Sequence, residues 1–196
     1  MIIELAFLSL GAADITLQRD YGYGYETAAE RRERASRDGF VRGVRQEIDA
    51  CTDGVCRLQK ESALREALTL RDKAHSYRLS SFLAGNLVAH CDLMKGGILV
   101  IRDCMKSRVS LTDNQKRSAV GLRRSGISWR GYNQLRTGMN ADDVEFVLGD
   151  YGEQSSYSSS GGYSAEIRKY GTDGVLIVVS FSDGEISGYS QYGLRR

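Results

Sequence analysis

"YNQLRTGMNADDVEFVLGD", residues 132–150, is the stretch whose reading decides the fold. Asn140 is a good helix N-cap, because its side-chain oxygen can accept a first-turn backbone N–H that has no partner inside the helix. Asp142 and Asp143 then fall at the positive end of the helix dipole. Met139 stands one place before the cap and Val144 four places beyond it, the spacing of a hydrophobic staple. Val144, Val147 and Leu148 make an apolar stripe, and Gly149 supplies a left-handed stop. Gly138 lets the backbone turn sharply. The segment therefore predicts two short helices, the first through Tyr132 and Leu135, joined at Gly138-Met139.

Downstream the period changes from helical to alternating. "YSAEIRKY" at 163–170 and "VLIVVSF" at 175–181 read as strands, "SDGE" at 182–185 carries the Asp-Gly pair of a tight hairpin, and "ISGYSQYGL" reads as the return strand. Alternation predicts that Ile167, Val175, Ile177, Val179, Phe181 and Ile186 face the helices. It predicts that Tyr170, Leu176, Val178 and Tyr189 share the opposite, open face. The "SSYSSSGGY" segment at 155–163 reads as a flanking polar loop.

Upstream, residues 27–130 read as helical. Phe40, Val44 and Ile48 mark one face of a helix over 27–50, and "TDG" at 52–54 turns the chain. A second helix is expected from about Arg57 to Tyr77, burying Leu58, Leu64, Ala67 and Leu68. A third places Leu79, Phe82, Leu83, Leu87 and Cys91 at helical spacing, and "ILVIRDCMKSR" continues as a further helix or a short β run. The first 13 residues, with an apolar run ending in small residues, predict a secretory signal, and 14–26 a linker or edge segment. No later run approaches the roughly 20 apolar residues of a transmembrane helix.

Cys51, Cys56, Cys91 and Cys104 make an even set, compatible with two disulfides in an exported chain, and four cysteines allow three pairings. Buried free thiols are the alternative, and the spacings do not suit a zinc knuckle. Charge is uneven: residues 1–130 carry 22 Lys/Arg against 16 Asp/Glu, and residues 131–196 carry 5 against 9. In the basic part the two signs are mixed, so nucleic acid is not the expected partner. His75 and His90 belong to no metal-binding or nucleophile motif, so no catalytic residue, metal or cofactor is assigned.

The order of helix, Gly-Met-Asn, helix, Gly and strand meander resembles the BLIP-like fold. That group holds the β-lactamase-inhibitor-protein repeats and the SmpA/OmlA (BamE)-type outer-membrane assembly lipoproteins. Gly138, Met139, Asn140, Val144, Leu148, Gly149, Phe181, Gly184 and the closing Ser190-Gln191 through Gly193-Leu194 carry the likeness, over residues 131–196. "GDYGEQ" stands where the family often has a Gly-Pro turn, and the region before Gly131 has no family counterpart.

The expected fold is therefore α+β: a helical N-terminal region, then a BLIP-like domain of two short helices packed on an antiparallel meander. The resemblance implies binding rather than catalysis. Seven of the eleven tyrosines follow Gly131, and tyrosine suits a surface that is partly apolar yet wet. The expected binding residues are Tyr157, Tyr163, Tyr170, Leu176, Val178, Tyr189 and Tyr192. The expected partner is another protein of the cell envelope or a secreted enzyme, met in the periplasm or another extracytoplasmic space. An inhibitor or accessory domain of a secreted hydrolase, or a thiol-redox protein, is the alternative.

Overall fold

The computed structural model describes residues 28–75 and 79–196, so the expected signal and linker lie outside the described residues. The chain divides into two units, 1–39 and 40–196. Helix α1, Ala28–Asp49, carries the boundary. Everything below concerns the second unit.

Val44 and Ile48 of α1 are buried and Phe40 packs beside them, the face expected from their spacing. Helix α2, Gly54–Ala74, starts at Asp53, whose carboxylate accepts the Cys56 N–H at 2.7 Å. Its buried stripe is Ala63, Ala67, Leu70 and Ala74. Leu58, expected inside, is 65% exposed. Five residues separate it from Ala63, a rotation of well over a right angle at the α-helical 3.6 residues per turn. Helix α3 runs Ser81–Asp92, and "ILVIRDCMKSR" belongs to helix α4, Gly97–Val109, not to a strand. Val88, Cys91, Ile98, Ile101 and Met105 close this first core. Arg71 is buried in it, donating to the Asp92 carboxylate at 2.9 Å and stacking over the Phe40 ring at 4.8 Å.

Both disulfides belong to this helical part. Cys51–Cys56 links the end of α1 to the start of α2, and Cys91–Cys104 ties α3 to α4. No free cysteine remains.

Helix α5, Asp113–Ala119, opens with a capping box between Thr112 and Gln115. Helix α6 is a single turn, Trp129–Tyr132, and α7 spans Ala141–Leu148. The reading of 139–149 holds, whereas the first short helix ends at Tyr132 and leaves Leu135, expected within it, in the connection to α7. The Asn140 side chain accepts the Asp143 N–H at 3.0 Å, Met139 and Val144 are fully buried, and Gly149 ends α7 with φ 69°. Gly138 sits at φ 86°, and a Cβ there would lie 2.7 Å from Ser81 Oγ, so both backbone and space require glycine.

Four antiparallel strands follow in simple meander order: β1 Glu153–Ser160, β2 Tyr163–Thr172, β3 Val175–Ser182 and β4 Glu185–Tyr192. Segment 155–160 is thus strand, not loop. Its serines hid it because all eight β1 residues are exposed, so no apolar alternation exists to read. Backbone pairing to β2 holds it, with the chain reversing through Gly161-Gly162, both at positive φ. Asp183 and Gly184, also at positive φ, make the expected β3–β4 hairpin.

Helix α7 and the sheet enclose a second core of Leu122, Leu135, Met139, Val144, Val147, Leu148, Tyr170, Ile177, Val179, Phe181 and Ile186. Phe82, Val120 and Ile127 pack against it from earlier in the chain. The two cores meet at the start of α3. Ser80 Oγ caps α3 by accepting Leu83 N–H and donates its own proton to the fully buried Asp143 carboxylate. The other Asp143 oxygen accepts Arg117 Nε–H at 2.7 Å. One residue on, the Glu185 carboxylate accepts Ser81 N–H and Oγ–H, each at 2.6 Å, and Gly138 C=O accepts Phe82 N–H at 3.1 Å.

Two outcomes test this arrangement. Asp143→Ala, which strands a buried guanidinium, is expected to lower the unfolding free energy by about 3–5 kcal/mol in denaturant titrations. Replacing Cys91 and Cys104 together by Ala should cost about 3 kcal/mol, more than the roughly 2 kcal/mol expected for the shorter Cys51–Cys56 loop.

Candidate interaction surface

Register decides which side chains share a face of the sheet, because residues directly opposite in neighbouring strands point the same way. Tyr170 pairs with Ile177, Arg168 with Val179, and Val179 with Tyr189. These residues look toward α7. On the other side Ile167 pairs with Ser180, Lys169 with Val178, Val178 with Ser190, and Leu176 with Tyr192.

The expected open-face set is therefore split. Leu176 and Val178 do lie on the outer face and are half-buried there. Tyr170 and Tyr189 lie on the core face, which corrects the expectation from alternation. Counting by twos from Val175 places neighbours within a strand, but it carries no information about the phase between strands. The β2–β3 turn at 173–174 puts Tyr170 opposite Ile177, and a bulge between Ser180 and Phe181 resets the phase to β4. By the same register Ile167 belongs to the outer face and is 37% exposed, and Val175, at the end of β3, is 38% exposed, so neither joins the core as expected.

Tyr170 is fully buried. Its hydroxyl has no described hydrogen-bond partner, and burial pushes its pKa up to about 12 from the ordinary 10, with the nearby positive charge of Arg168 opposing the shift. Tyr189 is half-buried: its ring meets Tyr132 edge-on at 5.4 Å and its hydroxyl donates to Leu135 C=O at 2.8 Å. Of the other expected residues, Tyr163 and Tyr192 are 58% and 71% exposed at outer-face positions. Tyr157 pairs with Glu166, on the side of Phe181, yet stays exposed because β1 extends past the helical cover.

The outer face has two zones. Toward the β1–β2 and β3–β4 turns, Ser156, Ser158, Ala165, Ile167, Ser180 and Ser182 line a shallow depression of about 490 Å³. At the opposite end Leu176, Val178 and Tyr192 form an apolar rim. Small residues in the centre keep the sheet low, so a partner's side chains could seat there against Ile167. Sequence reading assigned Ile167 to the helix side and the 155–163 serines to a flanking loop, because the outer-face positions of both are signalled by the register alone.

The remaining chemistry is sparse. His90 Nε2 lies 2.9 Å from Arg108 Nη2 on the surface. Among the described residues no three His, Cys, Asp or Glu side chains are grouped to hold a metal ion, and no described helix is long and apolar enough to cross a membrane. No family model, curated protein or solved structure matches the chain.

The Tyr170 environment yields a pH prediction. A folded-state pKa raised from 10 to about 12 means the native state keeps a proton that the unfolded chain releases. The associated stability is complete below pH 10 and is lost as pH rises toward 12, by about 3 kcal/mol in all. In Tyr170→Phe the loss between pH 7 and 11.5 should shrink by about 2 kcal/mol, while stability at pH 7 stays equal or rises by up to about 1 kcal/mol. Denaturant midpoints measured at pH 7, 10 and 11.5 for both proteins provide the check.

Proposed function

We propose that this chain is a non-catalytic protein-binding module of the cell envelope or secreted space, and that the outer face of its sheet is the contact surface. One observation carries the reading. An antiparallel sheet with helices on one side presents Ile167, Leu176, Val178, Tyr163 and Tyr192 on the other, which no described element covers. Exposed apolar groups gathered on one face, with aromatic anchors at its margin and adaptable serines between them, have the composition of a recognition surface. The likeness of residues 131–196 to the BLIP-like fold supports the same class of function.

The location outside the cytoplasm rests on Cys51–Cys56 and Cys91–Cys104, since disulfides persist where the surroundings are oxidising. An accessory role in envelope or outer-membrane assembly is the specific form we favour.

A photo-crosslinking residue placed at Ile167 or Tyr192 of the full chain should capture a protein from an envelope fraction, whereas the same residue at the exposed Thr69 of α2 should not. With that partner in hand, Tyr192→Ala combined with Ile167→Ser should weaken binding by roughly tenfold or more and leave the melting temperature nearly unchanged. Adducts from Thr69 alone, or an unaltered affinity in the double variant, would remove the sheet face from consideration.

A further inference from the structure

Between Asn114 and Ala141 the chain carries six basic residues and no Asp or Glu. Two are used internally: Lys116 pairs with Asp113 at 3.3 Å and Arg117 with Asp143. The other four, Arg123, Arg124, Arg130 and Arg136, are exposed, as are Arg195 and Arg196. None of these six takes part in a described ion pair. Arginines without a described ion pair thus recur along 123–136 and at 195–196.

Direct contacts join two of these arginines, Arg196 and Arg136, into one strip. The Arg196 guanidinium lies over the Trp129 ring at 4.9 Å, Trp129 meets Tyr132 at 5.6 Å, and Tyr132 meets Tyr189 at 5.4 Å. Leu135 C=O then accepts both Tyr189 Oη–H at 2.8 Å and Arg136 Nη1–H at 2.7 Å. Arg136 Nη1 also donates to Asn133 C=O at 2.7 Å, which fixes the guanidinium while Nε and Nη2 have no described partner. Arg123 is held the same way by the carbonyls of Ser118 and Leu122. Held side chains lose less entropy when a ligand arrives.

We propose that this strip, Arg196, Trp129, Tyr132, Tyr189 and Arg136 with Arg130 beside it, is a second interaction surface, and that it takes the carboxylates of an acidic protein segment. Three observations select that partner. Every cation of the strip is an arginine, whose planar fork matches a carboxylate bidentately, and Arg, Trp and Tyr are the residues enriched in protein interfaces while Lys is depleted. The aromatic rings are engaged with Arg196 and with one another, so they do not offer the free faces on which nucleic-acid bases stack. Trp129 is half-buried in this stack, and among the described residues no exposed apolar helix face accompanies it for insertion among lipids. The inference is independent of the outer sheet face.

The test uses the full chain and fluorescent poly-L-glutamate, with single-stranded DNA and anionic phospholipid vesicles at matched charge as comparators. Poly-L-glutamate should bind most tightly of the three, and its affinity should fall as salt rises. Arg130→Glu with Arg136→Glu should cost roughly tenfold or more, and the charge-keeping variant with Arg130, Arg136 and Arg196 all changed to Lys about threefold or more. The Tyr192→Ala, Ile167→Ser variant should bind the probe as the parent does. Melting temperatures verify folding; Arg130→Lys alone, at a side chain with no described internal bond, replaces any variant that melts early and should still bind measurably less. Absent or salt-insensitive binding, undiminished affinity in the Lys variants, or a preference for DNA or vesicles would each overturn the proposal.

Discussion

The Asp143 carboxylate is the point on which the two halves of the described structure depend. It lies in the first turn of α7, is wholly buried, and accepts from Ser80 at the start of α3 and from Arg117 of α5. A charge removed from water this completely is tolerable only with its hydrogen bonds satisfied, and such a pair is worth more as a constraint on geometry than as net stability. Because both oxygens are used, α3, α5 and α7 can meet in one way. Glu185 repeats the device one layer out: it grips both donors of Ser81 and so fixes the β3–β4 hairpin to the same helix start.

This joint explains why Gly138 cannot be exchanged. Its carbonyl accepts Phe82 N–H, its own N–H donates to Ile186 C=O, and Met139 C=O accepts Ile186 N–H. The turn between α6 and α7 is therefore bonded to a helix on one side and a strand on the other. A side chain there would press on Ser81 at a backbone angle that L residues rarely adopt. The helical part is held differently, by alanine-lined contacts of α2, by Arg71–Asp92 and by two covalent links. Small alanines let helices approach closely but bury little apolar area each, which gives the disulfides a larger share of the stability there.

The described helices cover only one side of the sheet, and the other is where we place the proposed contact surface. A polar, serine-rich β1 at one edge and small residues across the centre keep that side from being uniformly sticky, while Ile167, Leu176, Val178 and Tyr192 leave it apolar enough to recognise something. The arginine strip lies on the opposite side of the sheet through Tyr189, whose partner Val179 faces the core. Two surfaces of different chemistry are thereby available on one small scaffold.

What the sequence determined by itself was local. Asn140, Met139, Val144 and Gly149 specify a cap, a staple and a stop within a few residues, and "SDGE" specifies a hairpin, because each signal is contained in one turn of chain. The four cysteines were legible as a set, but not as pairs, since pairing depends on which helices become neighbours. The same limit hid the surface. Alternation along a strand is a local property, whereas the phase between strands is set by turns and bulges, and so Tyr170 and Tyr189 went to the core and Ile167 to the open face. Strand β1 had no apolar signal because it buries nothing. Arg71, Arg117 and Asp143 read as ordinary charged helix positions until packing brought their partners, 21 to 63 residues away, within hydrogen-bonding distance. Only the tertiary structure could decide these, because burial and partnership are properties of residues distant in the chain.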